Sequence, residues 1–563
     1  MKKIISLMLA IAMIFSLAVP AVYAVDGEIV DQSEATPIIY LRGNGEVIHY
    51  EGGKGDVARI DIDQVLSDES IYDVEGMKKE IVNILIPFIS KGLTMDDWDE
   101  CRKAIYNAVS PFFKQSALDG DGNPQMDTTI SLAAQNSNAN PSVKNEVTYS
   151  SRALIFHHDW RLDPYDNVDA LHEFILKVCE KTGEKQVSFA SRCLGGTLLN
   201  AYLEKYGHLG YVKNVMYCDT LANGSTVLSK LFSGKISVDG KNAQRYMGQL
   251  EYCAELEQGV GFALTGFLDE VVTSTLDLFT QTNVTDTLGN GFELLYNELL
   301  QLLLPALMHA IGYATNANYW ACVRDEDFDE ALVFMFGEEG SEAREYYAGL
   351  IEKLVYYREH VTAKLPELYS TFINDYKIHV GTAAKYGYMN MPMVDDNNLL
   401  SDTLASLEHA TFGATCAKIG ETLSEEYIAE RVAEGNGKYI SPDKQVDLST
   451  SISPDTAWVV KNHHHSYPTF VLMIAEEFCN GTGITVDESV YPQFVLYDDE
   501  NDTWSEMTAD NCADLEFIGL AEKEPTVFTK LMSGLRFLTM ILKLIVRAIS
   551  GEISFDAIGK FFG

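Results

Sequence analysis

One unbroken stretch, residues 185–206 (KQVSFASRCLGGTLLNAYLEKY), joins a strand to a helix through a very short turn. Val187 and Phe189 alternate with polar neighbours, which predicts a short strand, and the apolar residues of 198–203 share one face at helical spacing, which predicts an amphipathic helix. A turn this tight between two regular elements is compatible with few folds. It places Cys193 at the apex of a sharp bend.

The residues around Cys193 follow the pattern small-x-Cys-x-Gly-Gly (SRCLGG). A nucleophile on a strand-to-helix turn needs small neighbours, because the two backbones approach each other closely there. The helix that follows offers free N–H groups and the positive end of its dipole, which favour a thiolate. We therefore expect Cys193 to be a nucleophile. Ser191 is the rival, although a turn centred on it would put Phe189 where a small residue is required, and a buried structural thiol is the alternative interpretation of Cys193.

Strands and helices alternate on both sides of this turn. Residues 37–41 and 153–156 are compact apolar runs typical of buried strands, residues 166–180 carry one apolar stripe of a helix, and residues 212–218 form a further strand pattern. A strand, helix, strand, helix, strand succession predicts a parallel sheet with right-handed crossovers. The predicted fold class is α/β, with a mostly parallel sheet.

The alternation stops at residue 223 and resumes near residue 377. The intervening residues 223–376 show long helical patterns, for example in 294–311 and 342–357. A large insertion after a core strand is expected to be a helical lid or cap over a site, because loops at the carboxyl ends of strands carry function in such sheets. A helical packing domain is the alternative that the sequence leaves open.

A second motif precedes the cysteine turn by about thirty residues. The sequence HHDWRLDP at 157–164, followed by SRCLGG, resembles the lecithin-cholesterol acyltransferase-like group of α/β-hydrolases, which carries YDWRL-acid-P before GHS-x-GG or GHS-x-GC. The resemblance covers roughly residues 37–224 and 395–477. It implies an α/β-hydrolase fold and ester or acyl-transfer chemistry on lipid-like substrates. This chain departs from the group by placing Cys193 where serine is usual and Ser191-Arg192 where Gly-His is usual.

The resemblance and the sequence patterns together predict six segments. These are a signal peptide (1–24), the first part of an α/β-hydrolase core (37–222), a helical lid insertion (223–376), the second part of the core (377–480), a small β-hairpin extension (481–525) and a basic amphipathic helix (526–563). The central prediction is thus one large domain with an insertion.

An oxyanion hole is expected beside the cysteine. In this fold one backbone N–H comes from the residue after the nucleophile, here Leu194, and another from the loop after an early strand. The strand at 37–41 is followed by a flexible turn, so Asn44 or a neighbour is the second donor. The alternative is an ordinary hairpin turn, with residues 47–50 paired to residues 58–62.

The acidic member of a triad is expected between the nucleophile and the histidine in chain order. Asp402 lies in a polar loop after the strand-like residues 377–388, in a setting similar to the D-G-T-V segment of the family but without its glycine. Asp395 and Asp396 are the second choices.

Three consecutive histidines follow the last predicted core strand, at 456–460. A histidine just beyond that strand is where the general base is expected. His465 is nearest the start of the final helix and is the first choice, His464 is the second, and His463 stays open. A surface metal-binding triplet is the alternative, although no carboxylate or cysteine partner is evident.

The first 24 residues have two lysines, an apolar run and a small residue at Ala24. This is the pattern of a secretory signal peptide, so the remaining chain is expected to be secreted or extracytoplasmic. The formal net charge of −40 makes nucleic acid an unfavourable partner, because phosphate would be repelled.

The sequence predicts no cofactor and no metal ion. Nine cysteines form no CxxC pair, and their odd number fits one free thiol. Asp119-Gly120-Asp121-Gly122-Asn123 is similar to the opening of a calcium loop, but Pro124 and Ile130 stand where glycine and a bidentate glutamate are needed. A plain turn is expected there.

Residues 531–549 carry Arg536, Lys543 and Arg547 on or near one face of an otherwise apolar helical pattern. No charge-free run approaches the length of a membrane span. The segment is expected to lie on an anionic membrane surface or, equally, to dock against the lid.

Two functions follow from these patterns. The first is a secreted α/β-hydrolase that cleaves or transfers the acyl group of a lipid-like ester or thioester through Cys193, His465 and Asp402. The second is a catalytically inactive protein of hydrolase fold that binds a lipid or a protein partner.

Overall fold

The computed structural model describes most of the chain between residues 36 and 512. The described residues are 36–43, 47–50, 98–114, 116–126, 128–131, 153–236, 303–390, 398–465, 469–481, 483–498, 501 and 503–512. The signal peptide predicted at 1–24 and the amphipathic helix predicted at 531–549 lie outside them. The predicted secretion and membrane contact therefore stay predictions.

An eight-stranded, mostly parallel sheet forms the centre of the protein. Its strands are β1 (Ile38–Leu41), β2 (Ala153–Ile155), β3 (Val187–Arg192), β4 (Val212–Cys218), β5 (His379–Tyr386), β6 (Ala457–Lys461), β7 (Phe494–Asp498) and β8 (Thr503–Glu506). The spatial order is β8-β7-β6-β5-β4-β3-β1-β2. Seven strands run parallel, and only β8 pairs antiparallel, with β7. The predicted α/β class and the mostly parallel sheet are confirmed.

Helices cover both faces of this sheet. They are α1 (Trp98–Phe113), α2 (Pro164–Thr182), α3 (Gly195–Tyr206), α4 (Thr226–Phe232), α5 (Ala317–Trp320), α6 (Asp325–Phe336), α7 (Glu342–Tyr346), α8 (Ala348–His360), α9 (Leu365–Asn374), α10 (Leu407–Ala410), α11 (Glu425–Ala433), α12 (Thr469–Asn480) and α13 (Ala509–Cys512). Short 3-10 turns lie at Gly207–Leu209, Thr362–Lys364, Gly437–Tyr439, Leu448–Thr450 and Pro454–Thr456.

Strand β3 is buried along its whole length because both of its faces are covered. Phe189 packs in one apolar cluster with residues of α2 and α3, whereas its neighbour Ala190 packs in another with residues of α12. The polar Ser188 between apolar neighbours is buried too, and its hydroxyl donates to the carbonyl of Cys479 at 3.0 Å. Burial on both faces is what a parallel sheet between two helix layers requires.

The order of the strands brings the candidate residues to one edge of the sheet. Strand β1 lies between β2 and β3, so the chain changes its direction of growth there, and crevices form outside the carboxyl ends of parallel strands at such points. Leu41 at the end of β1 is in register with Ser191, and Arg192 is in register with Cys218. The residues that follow β1, β3, β4 and β6 therefore emerge close together.

The segment between β4 and β5 is helical in most of its described part. Helices α4 to α9 lie in it, and residues 303–310 are helical as well. The helix predicted over 342–357 is split, since α7 ends before Tyr347 and α8 begins after it. Side chains of this segment belong to the same apolar cluster as Cys193 and Leu194. Residues 237–302 lie outside the described chain.

Two strand pairings differ from those expected. Residues Val47–Tyr50 pair antiparallel with Thr128–Ser131, a strand that the sequence patterns missed, while the expected partner at 58–62 lies outside the described residues. The hairpin predicted beyond residue 481 forms from β7 and β8, but it continues the central sheet through the parallel pairing of β7 with β6. The plain turn expected at residues 119–123 is present, and in it the Asp119 carboxylate accepts from the N–H of Asp121 and Asn123.

Seven cysteines have side chains that the structure describes, and none of the seven is crosslinked. Cys179, Cys193, Cys218, Cys322, Cys416, Cys479 and Cys512 are all free thiols. Within the described part of the chain, no helix combines the length and the apolar composition needed to cross a bilayer.

Candidate functional site

Cys193 occupies a strained bend between β3 and α3. Its φ angle is +53°, in a region that residues with a Cβ atom adopt rarely. The bend is held because the Cys193 N–H donates to the carbonyl of Cys218 at 3.2 Å and the Cys193 carbonyl accepts from Leu221 at 3.3 Å. The side chain is nearly buried, with 8% exposed.

Two glycines make this bend sterically feasible. A Cβ atom on Gly195 would lie 2.3 Å from the carbonyl oxygen of Leu41, so the start of α3 touches the end of β1. A Cβ atom on Gly43 would lie 2.9 Å from Cys193 Cβ, 3.2 Å from Cys193 Sγ and 3.1 Å from the nitrogen of Leu194. The missing side chain of Gly43 thus leaves open the space that the thiol and the Leu194 N–H share.

That space has the features expected of an oxyanion hole. The Leu194 N–H lies at the amino-terminal end of α3 and donates to no acceptor within the described ranges. An oxygen placed beside the sulfur would meet this free donor and the positive end of the helix dipole. Asn44, the second predicted donor, lies outside the described residues, so its part stays a prediction.

His465 and Asp402 are joined by a short hydrogen bond. The distance between His465 Nδ1 and Asp402 Oδ2 is 2.7 Å, and both side chains are almost completely buried. The backbones are joined as well, because the His465 N–H donates to the Asp402 carbonyl at 2.9 Å. The carboxylate therefore fixes both the orientation and the tautomer of the ring, with the proton of Nδ1 facing Asp402 and Nε2 facing away.

The loop around Asp402 fixes the carboxylate in turn. Oδ1 accepts from the N–H of Leu404 at 3.1 Å and from the N–H of Ala405 at 2.7 Å, which leaves Oδ2 for His465. Thr403 adopts a φ of +96° to close this turn, a conformation that favours glycine. The loop carries backbone strain beside the site.

The protonation of the pair follows from its surroundings. Burial disfavours the charge on His465, but the Asp402 carboxylate and Cys193 raise its pKa to about 9. Burial likewise opposes the charge on Asp402, and His465 followed by Lys385 lowers its pKa below the usual value. Both shifts favour the charged forms of the pair, an imidazolium beside a carboxylate.

Cys193 is close enough to His465 to raise the pKa of the ring, through its charge and through hydrogen bonding. The alignment is nevertheless short of a formed hydrogen bond, since Nε2 is buried and has no partner of good geometry in the described chain. Such contacts are commonly loose in sites without substrate and tighten when substrate binds.

No protein-family model, curated protein or solved structure matches this chain. The function must be inferred from the site itself.

The other sequence-based candidates lie elsewhere. The ring of His463 packs on Tyr497 at 3.9 Å between centroids, and the ring of His464 meets the edge of Tyr388 at 5.2 Å. Of the three histidines, only His465 pairs with Asp402. Ser191 is buried in β3, where its hydroxyl donates to the carbonyl of Met216 at 3.4 Å.

The second-choice acids Asp395 and Asp396 lie outside the described residues. In the described part of the chain, no group of three or more histidine, cysteine or acidic side chains is arranged to hold a metal ion.

Sequence reasoning missed three buried charged residues beneath the site. Asp219 follows β4, Lys385 is near the end of β5, and Arg192 directly precedes the nucleophile. Asp219 Oδ2 lies 2.9 Å from Lys385 Nζ and 3.6 Å from Arg192 Nε. The sequence did carry one signal of this network, the lysine in the strand HVGTAAKY. A lysine in a strand that is buried on both faces needs a buried partner of opposite charge.

Proposed function

We propose that this protein is an α/β-hydrolase that cleaves or transfers the acyl group of an ester or thioester through Cys193, His465 and Asp402. The observation that carries the proposal is the buried His465–Asp402 pair, whose ring lies near Cys193, a cysteine with a positive φ between strand and helix. Three elements far apart in sequence supply one nucleophile, one base and one orienting acid.

The sheet supports this proposal. The nucleophile follows the central parallel strand β3, the acid lies in the segment between β5 and β6, and the histidine follows β6. This is the chain order that α/β-hydrolases use. The swapped position of β1 between β2 and β3 gives the crevice at which such sheets bind ligands. The DWRL and SRCLGG motifs add the resemblance to lecithin-cholesterol acyltransferase-like proteins.

The proposed reaction begins with a proton transfer. His465 takes the thiol proton of Cys193 at Nε2, and the pKa of His465, raised by Asp402, favours this transfer. The thiolate attacks the acyl carbonyl carbon, and the developing oxyanion accepts a hydrogen bond from the Leu194 N–H. His465 then donates its proton to the leaving alcohol or thiol, which leaves an acyl-thioester on Cys193.

The second half of the reaction uses the same groups in reverse. Neutral His465 removes a proton from water or an acceptor alcohol, which attacks the thioester carbonyl, and collapse of the oxyanion expels the Cys193 thiolate. Asp402 remains a carboxylate throughout and stabilises the imidazolium. Hydrolysis and transfer therefore differ only in the nucleophile that enters.

An apolar acyl group fits the surroundings of the cysteine. Cys193 and Leu194 pack in one apolar cluster with Trp160, Leu221 and Leu404, and helices between β4 and β5 contribute to the same cluster. Apolar side chains around a reacting carbonyl favour an alkyl acyl chain over a charged one. The helices between β4 and β5 are, in this proposal, the lid of the site.

Hydrolysis of p-nitrophenyl esters of acetate, butyrate and octanoate tests the proposal. Wild-type protein is expected to turn over at least one ester, Cys193→Ala to lose all turnover above background, and Cys179→Ala to keep the wild-type rate because Cys179 lies on α2. Turnover retained by Cys193→Ala would overturn the assignment. Absence of wild-type turnover, together with equal iodoacetamide reactivity of all thiols, would favour a ligand-binding protein of the same fold.

A further inference from the structure

Two buried cations point at the same peptide group of the histidine loop. The guanidinium of Arg192 donates from Nη2 to the main-chain carbonyl of His465. The Nζ of Lys385 donates to the carbonyl of His464 at 2.7 Å and lies 3.4 Å from the carbonyl of His465. The two side chains reach this loop from β3 and β5, the strands on either side of β4.

Asp219 holds the two cations in place. It lies directly after β4, between β3 and β5, and its N–H donates to the carbonyl of Ala383 at 3.0 Å. Its carboxylate is fully buried beside the fully buried ammonium of Lys385 at 2.9 Å and lies 3.6 Å from Arg192 Nε. The Asp219 carboxylate therefore lies beside two cations, and both of these contact the histidine loop.

We propose that Arg192 and Lys385 are positioning residues that clamp the main chain of His465 and so hold its ring against Cys193. This rests on the proposed function of His465 as the base. The N–H of His465 is held by the Asp402 carbonyl, and its carbonyl is held by Arg192 and Lys385, so both polar atoms of its main chain are fixed.

Arg192 has a further property that a general structural cation would lack. It is the residue immediately before the nucleophile, so its hydrogen bond ties the strand of Cys193 directly to the loop of His465. A displacement of about 1 Å between reacting groups costs about 100-fold in rate, which is the scale on which this tie acts.

A double variant can separate the effect of Arg192 on the position of His465 from the effect of its charge. Arg192 contributes one positive charge to this network, and Asp219 beside it contributes one negative charge. The double change Arg192→Met with Asp219→Asn removes one of each sign, so the net charge near His465 stays the same while the contact of Arg192 with the His465 carbonyl is lost. Lys385 then keeps Asp402 as its nearby anion.

The first experiment compares this double variant with wild type in p-nitrophenyl ester hydrolysis. We expect kcat to fall about 10- to 100-fold, with KM unchanged within about twofold. The control is Arg431→Met with Glu434→Gln, which removes an ion pair of 3.0 Å at the end of α11, outside the proposed lid, and is expected to keep the wild-type kcat. A folded Arg192→Met/Asp219→Asn protein with wild-type kcat would overturn the proposal.

A gentler variant covers the case in which the double variant does not fold. Arg192→Lys keeps the charge next to Asp219 but lacks the planar fork that reaches the His465 carbonyl. We expect it to fold and to lose about 10-fold in kcat, and a wild-type kcat in this variant would contradict the role of Arg192.

A measurement without any substrate distinguishes this proposal from the proposed function. The rate of Cys193 alkylation by iodoacetamide at pH 6, located by mass spectrometry, reports whether an imidazolium lies beside the sulfur. We expect about a tenfold decrease in the Arg192 variants and no change in the Arg431→Met/Glu434→Gln control. An unchanged alkylation rate in both Arg192 variants would overturn the positioning proposal, whereas loss of the acyl-transfer assignment would show instead as ester turnover by Cys193→Ala.

Discussion

His465 and Asp402 are joined twice, through their side chains at 2.7 Å and through their backbones at 2.9 Å. The backbone contact holds the two loops together, and the side-chain contact orients the ring. A pairing of this kind, buried and 63 residues apart in sequence, is more specific than a surface ion pair. It is the feature on which the proposed chemistry depends.

Removing the charge of Asp402 should disrupt its interaction with His465 while the shape of the side chain is kept. Asp402→Asn keeps an oxygen for the loop N–H groups but turns an amide toward His465, which favours the wrong tautomer of the ring. We expect kcat for ester hydrolysis to fall on the order of 100-fold or more. The control is Asp163→Asn, another buried carboxyl whose pKa burial raises to about 7, so that an uncharged amide is a close substitute. Equal rates for the two variants would argue against the role of Asp402.

A side chain on Gly43 should block the site at its narrowest point. The Cβ atom of Gly43→Ala would lie 3.2 Å from Cys193 Sγ and 3.1 Å from the Leu194 nitrogen, which is where the oxyanion would be. We expect a decrease in kcat/KM of about 100-fold or more, as for loss of an oxyanion donor.

Gly210→Ala provides the matched control for that change. Gly210 has a φ of +77°, and a Cβ atom there would meet nothing within 4 Å. It is expected to cost about 1 kcal/mol of stability and to leave kcat/KM unchanged. Full activity in Gly43→Ala would show that the oxyanion lies elsewhere.

The stability of the protein should depend on pH through His465. The pKa of this histidine rises from 6.5 in the unfolded chain to about 9 in the folded protein, because the opposing effect of burial is outweighed by Asp402 and Cys193. A raised pKa means that the folded state binds the proton more tightly. The stabilisation is therefore complete below pH 6.5 and is lost as the pH rises through about 9.

Thermal unfolding measures this effect. The difference in Tm between wild type and the double variant His465→Gln/Asp402→Asn should be largest near pH 6 and should shrink as the pH approaches about 10. Groups common to both proteins cancel in the difference. A difference that is constant over this range would mean that His465 is uncharged in the folded protein at neutral pH.

The strain at Thr403 should be removable. Thr403 has a β-branched side chain at a φ of +96°, and glycine adopts that conformation without the steric cost. We expect Thr403→Gly to raise the free energy of unfolding by about 1 kcal/mol while keeping the Asp402 loop and ester turnover intact. Chemical denaturation measures the change, and a clear loss of stability would show that the Thr403 side chain makes contacts that outweigh the strain.

Local patterns in the sequence were sufficient to predict the turn at Cys193. Strand, turn and helix are contiguous there, and two of the surrounding glycines are required by the close approach of β1. The choice of His465 over its two neighbours rested on its distance from the final helix, and the structure adds that its main chain faces Asp402. Short-range sequence patterns predict such a turn well because its contacts are made by residues adjacent in the sequence.

Pairings between residues far apart in the chain were harder to predict from the sequence. The partner of the strand Val47–Tyr50 is Thr128–Ser131, far along the chain, and short polar strands carry little signal for register. The buried charges Arg192, Asp219 and Lys385 were missed because such residues are ordinarily exposed, and only their mutual contacts make burial affordable.

Trapping the acyl intermediate tests the central claim most directly. Wild-type protein and Cys193→Ala would each be mixed briefly with p-nitrophenyl butyrate, quenched in acid and digested, and the peptides analysed by mass spectrometry. A butyryl group is expected on the peptide that contains Cys193 in wild type, and no butyryl group is expected in Cys193→Ala. A butyryl group on another residue, or ester turnover with no acyl group on Cys193, would contradict this claim.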